Sequence, residues 1–190
     1  MSLTCSLDLL QSPQCSLTKL VCKSMIAIGI GSNLGNSLRI IERVMLCLER
    51  LARAESFLSS SIWVTSPVNC PPESPNFLNS VVLFELQNAI TPPELMVELQ
   101  LLERKFGRSK TDVVNAPRLI DLDLLLFEGM EQQWPGLEVP HPRGHRRLFV
   151  LKPLQELVPG LIWPGIGKSV SQLIDELDTN ETIEKLQMES

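Results

Sequence analysis

The stretch that most constrains this chain is Ala116-Pro117-Arg118-Leu119-Ile120-Asp121-Leu122-Asp123-Leu124-Leu125-Leu126-Phe127, an apolar run that ends at Gly129. Its composition predicts a β-strand. Pro117 suits the position just before a strand, where no ladder needs its missing N–H. Alternate strand residues share a face. Ile120, Leu122, Leu124 and Leu126 are therefore expected on one face, and Leu119, Asp121, Asp123, Leu125 and Phe127 on the other. Two carboxylates about 7 Å apart then project together from the most apolar segment of the chain. Like charges on a half-buried surface repel, and each is costly to desolvate unless a partner compensates. One reading is a solvated sheet edge with exposed acids. The other is a cation site, because a magnesium ion needs only one or two protein carboxylates and takes its other ligands from phosphate and water.

The flanks favour the second reading. Glu103-Arg104-Lys105-Phe106-Gly107-Arg108-Ser109-Lys110 lies upstream, and Val139-Pro140-His141-Pro142-Arg143-Gly144-His145-Arg146-Arg147 lies downstream. An acid pair bracketed by two cationic runs suits a polyphosphate: the acids hold the metal, and the cations hold the remaining phosphate charge. The whole chain nevertheless carries a net charge of −5. No general basic surface exists to neutralise a nucleic-acid backbone, so the basic loops point to a small anionic ligand.

Pro117-Arg118-x-x-Asp121-Leu122-Asp123-x-x-x-Phe127, together with Val139-Pro140-His141-Pro142-Arg143 and the earlier Gly31-Ser32-Asn33-Leu34-Gly35, resembles the 6-hydroxymethyl-7,8-dihydropterin pyrophosphokinases of folate biosynthesis. The likeness runs from about Met25 to about Pro164 and rests on several ordered motifs. It implies an ATP-dependent transfer of diphosphate to the hydroxymethyl group of a reduced pterin, with release of AMP. Two Mg²⁺ ions would be bound with ATP by Asp121 and Asp123. The resemblance further implies that Arg108, Lys110 and Arg118 contact the triphosphate, with Lys110 standing where the family often has arginine. His141 and Arg147 would reach the phosphates from the opposite side, and Glu103 falls where the family has a nucleotide-contacting acid. Asn79 and the backbone from Thr65 to Val68 would read the pterin edge, while Phe77 and Phe149 would sandwich its ring by offset stacking. Phe77 replaces a tyrosine seen in some relatives. Val114 and Asn115 stand where some relatives have arginine and tryptophan.

The rest of the chain reads as scaffold for this strand. Met25 to Ile30 is a central strand, and Gly29 and Gly31 allow tight packing and an unusual backbone turn. Gly31 to Gly35 lacks the Gly-Lys-Ser/Thr ending of a P-loop, so it reads as a strand-to-helix turn. Asn36 or Ser37 caps a helix with Ile40, Ile41, Val44, Met45, Leu48 and Leu51 at helical spacing. Leu58 to Thr65 is a second strand, Ser66 to Asn76 a stiff proline-rich loop, and Phe77 to Leu86 a third strand. Within that strand Asn79 sits among apolar neighbours and needs partners for its amide. Thr91-Pro92-Pro93-Glu94 is a capping box opening a helix with Leu95, Val97, Leu99, Leu101 and Leu102. Glu103 sits against the helix dipole in its last turn, which requires a partner such as Arg108, or a ligand. Gly107 to Ala116 is a polar loop suited to act as a lid. Met130 to Gly136 is a turn region, and Leu137 to Val139 a short strand. Pro153 kinks or starts a helix over Leu148 to Leu157, and Lys168 to Leu177 holds a short amphipathic helix.

The order strand–helix–strand–strand–helix–strand predicts an α+β fold: a ferredoxin-like antiparallel sheet with helices packed on one side, plus C-terminal additions. The expected organisation is an N-terminal extension over 1–24, a catalytic domain over 25–178 and a tail over 179–190. The extension is Ser-, Cys- and Leu-rich, and it fits a disordered arm, a packed extra segment or translation from an upstream start. Five cysteines without CxxC spacing, and only two histidines, argue against a zinc site and for reduced thiols in the cytoplasm. No apolar run reaches the roughly 18 residues that cross a bilayer, so no membrane partner is expected. Two other readings compete: another Mg-dependent phosphotransferase or nucleotidyltransferase using Asp-x-Asp, and a ferredoxin-like RNA-binding domain. The first is opposed by Phe77-x-Asn79. The second lacks the basic sheet face and exposed aromatics that RNA requires. Neighbouring folate-pathway enzymes on other chains are possible partners of the pyrophosphokinase.

Overall fold

The computed structural model describes residues 24–67, 70–71, 73–108 and 117–187. The segment 1–23 and most of the loop 107–116 expected as a lid, with Lys110, Val114 and Asn115, lie outside the described residues, as does Val68. The central sheet is antiparallel. It contains β1 (Ile26–Ser32), β2 (Leu58–Ser59), β3 (Trp63–Thr65), β4 (Phe77–Phe84), β5 (Asp121–Phe127) and β8 (Ile183–Lys185). Its order is β5-β1-β4-β3-β8, and β2 also pairs with β4. Strands β6 (Gln132–Trp134) and β7 (Leu137–Val139) form a separate hairpin.

Helices α1 (Ser37–Glu49) and α2 (Pro92–Lys105) cover one face of the sheet. Asn36 caps α1, its Oδ1 accepting the Arg39 N–H at 3.1 Å. Ile41, Val44 and Leu48 then pack on Ile26, Ile28 and Ile30 of β1. At α2 both the backbone N–H and the hydroxyl of Thr91 donate to Glu94 Oε2, at 2.9 and 2.6 Å. Leu95 and Leu99 are buried there, whereas Val97 and Leu101, expected with them, are about half exposed at 52% and 48%. They fall outside the i, i+3, i+4 stripe that Leu95 and Leu99 define.

Helices α3 (Leu148–Leu157) and α4 (Val170–Asp175) cover part of the opposite face, so the sheet carries helices on both sides rather than one. Pro153 lies inside α3 and is buried. Its ring removes only one backbone donor, so the helix runs through it. None of the described helices is long and apolar enough to cross a membrane.

Two strand expectations need correction. Leu58–Thr65 is two short strands rather than one, because one extra residue intervenes along β4: Ser59 pairs with Val82 but Trp63 with Asn79. Ser60 fills the gap, its backbone N–H donating to the Val81 carbonyl and its hydroxyl accepting the Val81 N–H. In β5, Ile28 of β1 pairs with Leu124 but Ala27 pairs with Leu126. Leu125 is therefore a bulge residue, and the facing pattern reverses after it. Phe127 joins Ile120, Leu122 and Leu124 under α1 and α2, while Leu126 joins Leu125 under α3 and α4. Asp121 and Asp123, upstream of the bulge, keep the expected common face. A third strand-level difference is β8, for which Ile183-Glu184-Lys185 has too little apolar pattern to signal pairing.

Candidate functional site

Helices α3 and α4 leave the end of their face that carries the acids uncovered, and this gap is a cleft of about 650 Å³. Its floor is the sheet itself. Asp121 of β5 lies opposite Gly31 of β1, which lies opposite Asn79 of β4. One step along, Asp123 faces Gly29, which faces Val81. The two glycines thus have a steric role: both are ordinary strand residues of β1, and their missing side chains open the floor between the acids and Asn79. The unusual backbone expected there occurs instead at Gly35, with φ +65°.

Arginines stand over the acids. Arg108 NH1 donates to Asp121 Oδ1 at 2.6 Å, and Arg118 NH1 donates to Asp121 Oδ2 at 2.9 Å. Arg147 NH1 lies 3.5 Å from Asp123 Oδ2. Arg143 and Arg146 also line the cleft. Burial pushes the Asp123 carboxyl above the usual range, and the neighbouring Asp121 charge adds to it, against the pull of Arg147, Arg108 and Arg118. Arg147 is pushed down by burial and by Arg143. Burial disfavours the Arg108 cation too, but Asp121 and Glu103 outweigh it and hold Arg108 above its ordinary value.

Glu103 sits beneath this cluster, 4% exposed. It ion-pairs with Arg108 and accepts the backbone N–H of Leu122 at 2.7 Å. Burial raises its carboxyl, opposed by those partners. The partner demanded by its place against the helix dipole is therefore Arg108, and Glu103 lies under the cleft wall.

At the other end the cleft is lined by Thr65, Phe77, Asn79 and Phe149. Asn79 Nδ2 donates to Thr65 Oγ1 at 2.7 Å, which fixes the amide among apolar neighbours. The Arg147 guanidinium lies over the Phe149 ring, 5.3 Å from its centroid.

His141 does not reach this cleft. It lines a neighbouring groove with Glu131, Glu138, His145 and Trp163. Its backbone N–H donates to the Leu125 carbonyl at 2.8 Å, and its Nδ1 accepts the Arg143 N–H at 3.2 Å. Burial, then Arg147 and Arg143, lower its pKa to about 4.

Four contributors escape a reading of the sequence by itself. Gly29 and Gly31 need the strand register to be placed opposite the acids. Asn33 clamps Arg118: its Oδ1 accepts the Arg118 N–H at 2.7 Å, and its own N–H donates to the Arg118 carbonyl at 3.1 Å. Its side-chain amide donates to the Pro75 carbonyl at 3.3 Å, tying in the proline-rich loop. Its presence in the Gly31–Gly35 motif was the one available signal. Glu181, from the expected tail, also lines the cleft, with no signal in sequence.

The acid pair suits a hard divalent cation. Both donors are carboxylates on one strand face, and among the described residues no three His, Cys, Asp or Glu side chains converge to hold a metal alone. A cation here would complete its shell with phosphate and water oxygens.

Residues 27–159 match the family 7,8-dihydro-6-hydroxymethylpterin-pyrophosphokinase (HPPK). A 2-amino-4-hydroxy-6-hydroxymethyldihydropteridine pyrophosphokinase of Synechocystis is 35% identical over 151 residues, covering 80% of this chain and 75% of its own. The Pseudomonas aeruginosa protein of the same name is 33% identical, covering 78% and 89%. Folic acid synthesis protein fol1 of Pneumocystis carinii is 32% identical over 80% of this chain but only 20% of its own. Among solved structures, an HPPK-DHPS in complex with substrates superposes with a TM-score of 0.60 at 13% identity, and the Plasmodium falciparum HPPK-DHPS wild type with pteroate with 0.62 at 12%. The chain spans 43% and 44% of those two solved chains, and the likeness there is one of fold. Family match, curated relatives and the acid-floored cleft agree: the chain belongs to the 7,8-dihydro-6-hydroxymethylpterin-pyrophosphokinase family.

Proposed function

We infer that this cleft binds ATP and 6-hydroxymethyl-7,8-dihydropterin end to end and transfers the terminal diphosphate to the pterin in folate biosynthesis. The hydroxymethyl oxygen attacks the β-phosphorus, the bond from that phosphorus to the α,β-bridging oxygen breaks, the hydroxyl proton leaves, and AMP departs. The observation that carries the reading is a single cleft with an arginine-ringed acid pair at one end and Phe77, Asn79 and Phe149 at the other. Phosphoryl transfer of this kind needs positioning and charge neutralisation more than covalent chemistry.

Arg108, Arg118 and Arg147 hold the triphosphate in the reading we favour, and the family resemblance adds Lys110, which lies outside the described residues. Their present contacts to Asp121 and Asp123 are interactions that phosphate and metal would replace. Asp121 and Asp123 hold Mg²⁺, two ions by the family resemblance, and the bound metal supplies neutralisation of the β- and γ-phosphate charge. Asn79 with Thr65 and the backbone toward Val68 reads the polar edge of the pterin, because an amide offers both a donor and an acceptor. Phe77 and Phe149 supply stacking faces. Glu103 acts on the nucleotide through Arg108. His141, given to the phosphates by the family resemblance, lines the neighbouring groove and would have to turn toward the cleft to reach them.

The strand order around β1 supports a ferredoxin-like core, with α3 and α4 as C-terminal additions within a domain over 25–178 and β8 in the segment that follows it. We place the enzyme in the cytoplasm beside other folate-pathway enzymes; the second part of this reading is supported by a relative named folic acid synthesis protein, of which this chain matches only 20%.

The test is AMP release from ATP and Mg²⁺, with and without the pterin, for the wild type and Asp123→Ala. Pterin-dependent AMP that disappears in the variant is expected. ADP as product, or pterin-independent turnover, overturns the reading.

A further inference from the structure

Between β7 and α3 the chain makes a short turn that stands between the cleft and the neighbouring groove. Arg143, Arg146 and Arg147 line the cleft, whereas His141, Pro142 and His145 line the groove. The turn is 3₁₀ over Gly144–Arg146, and Gly144 is its buried residue. The Gly144 N–H donates to the His141 carbonyl and the Arg146 N–H to the Arg143 carbonyl, each at 3.1 Å, and the Arg147 N–H donates to the Gly144 carbonyl at 3.3 Å. Upstream, the His141 N–H ties the turn to the Leu125 carbonyl of β5.

Gly144 rests on the edge of the Trp163 indole. A Cβ there would lie 2.6 Å from Trp163 Cη2 and 2.8 Å from Cζ2, well inside the roughly 3.5–4.0 Å of an ordinary carbon contact. Gly144 is not among the glycines with positive φ, so the position calls for glycine by space and not by backbone conformation. The indole is the stiffer of the two partners. Trp163 is 1% exposed and shares a buried cluster with Leu125, Leu151, Leu154 and Val170. Its backbone N–H donates to the Lys168 carbonyl at 2.9 Å, and its carbonyl accepts the Gly167 N–H at 3.1 Å. The turn, with Arg143 and Arg146 exposed on it, is the part that yields. An added methyl group would therefore lift the turn rather than push the ring into a packed interior. Arg147 NH1 already stands 3.5 Å from Asp123 Oδ2, so a small lift separates that pair.

We propose that Gly144 and Trp163 are positioning residues for the triphosphate: the missing Cβ lets the turn settle on the indole edge, and that depth sets Arg147 against Asp123 and holds Arg143 and Arg146 at the cleft. The inference deepens the phosphate end assigned under the proposed function and rests on that reading. Its first readout does not.

That readout is a stability cycle in urea. Trp163→Phe shortens the ring and takes away the Cζ2–Cη2 edge. Gly144→Ala should lower the unfolding midpoint when Trp163 is present and should not lower it further in the Trp163→Phe background. An equal loss in both backgrounds overturns the contact. The second readout is calorimetric, with Mg²⁺ and the α,β-methylene analogue of ATP. Gly144→Ala should bind it roughly ten- to a hundredfold more weakly, the size expected of a misplacement of up to about 1 Å, while the KM for pterin changes by less than about threefold. The double variant Gly144→Ala/Trp163→Phe should recover most of the lost affinity. Unchanged nucleotide affinity in Gly144→Ala, equal losses for nucleotide and pterin, or no recovery in the double variant overturns the positioning. Should Gly144→Ala fail to fold, the double variant decides: a folded, nucleotide-binding protein bears the proposal out, and a second failure beside a folded Trp163→Phe overturns it. A coupled stability cycle in a protein that shows no pterin-dependent AMP would retain the contact and reject the reaction.

Discussion

Glu103 of α2 accepts the backbone N–H of Leu122, the residue between the two cleft aspartates, at 2.7 Å. One buried carboxylate thus sets the height of the acid-bearing strand and, through Arg108, the cation above it. Glu103→Ala leaves the Leu122 N–H buried and unpaired and deprives Arg108 of one of its two acids. Urea denaturation should show a loss of about 1–3 kcal/mol, and kcat/KM for ATP should fall as Arg108 shifts. Glu103→Gln retains the Leu122 acceptor, so it should recover most of the stability and little of the activity. Equal recovery of both would show that the Arg108 contact is dispensable.

The open floor at Gly31 is a second place where stability and activity should part. A Cβ there would meet Asn79 Oδ1 at 3.1 Å, and Asp121 Cβ at 3.9 Å. Alanine costs less backbone entropy in a strand than glycine, so Gly31→Ala should hold or slightly raise Tm. The displaced Asn79 amide should raise pterin KM by roughly tenfold or more. Gly29→Ala, whose Cβ would meet only the Leu125 side chain at 3.4 Å, should do less. Matching kinetics for the two variants would remove Asn79 from the pterin edge.

His141 should not titrate near neutrality. Its folded pKa lies at about 4 against an ordinary 6.5. The unfolded chain therefore binds the extra proton across that interval. Stability from this group is complete above about pH 6.5 and is lost as pH falls toward 4, below which its contribution is flat. NMR titration of the ring should give an inflection near pH 4, and His141→Gln should flatten the acid limb of stability against pH. An inflection above pH 6 would contradict the burial seen here.

The acid pair and its cationic flanks were legible because burying like charges together on one face of an apolar strand is costly in any fold. Helix starts at Asn36 and Thr91 were legible for a similar reason, since capping chemistry is local. Strand register was not. The one-residue offsets at Ser60 and Leu125 depend on which strand lies alongside, so period-two reasoning carried Leu126 and Phe127 to the wrong faces. His141 shares a motif with Arg143, yet only the packing of β7 and Trp163 decides that it faces another groove. Glu181 gave no signal because the segment that carries it to the cleft is placed by β8, an edge strand whose sequence is mostly charged.

The bulge at Leu125 changes what counts as a neighbour in β5. Upstream of it, every second residue answers to the same helices; downstream, that arithmetic reverses. Leu124 and Leu126, two apart in sequence, sit in opposite layers, whereas the adjacent pair Leu125 and Leu126 share one. In double-mutant cycles by urea denaturation, alanine at 124 and 126 should be additive within about 0.5 kcal/mol, and alanine at 125 and 126 should couple by more. The exchangeable units of this strand are then two blocks that meet at one residue. A graft or recombination breakpoint placed at Leu125 would carry each block with the helices it fits, and a breakpoint elsewhere in β5 would divide a layer.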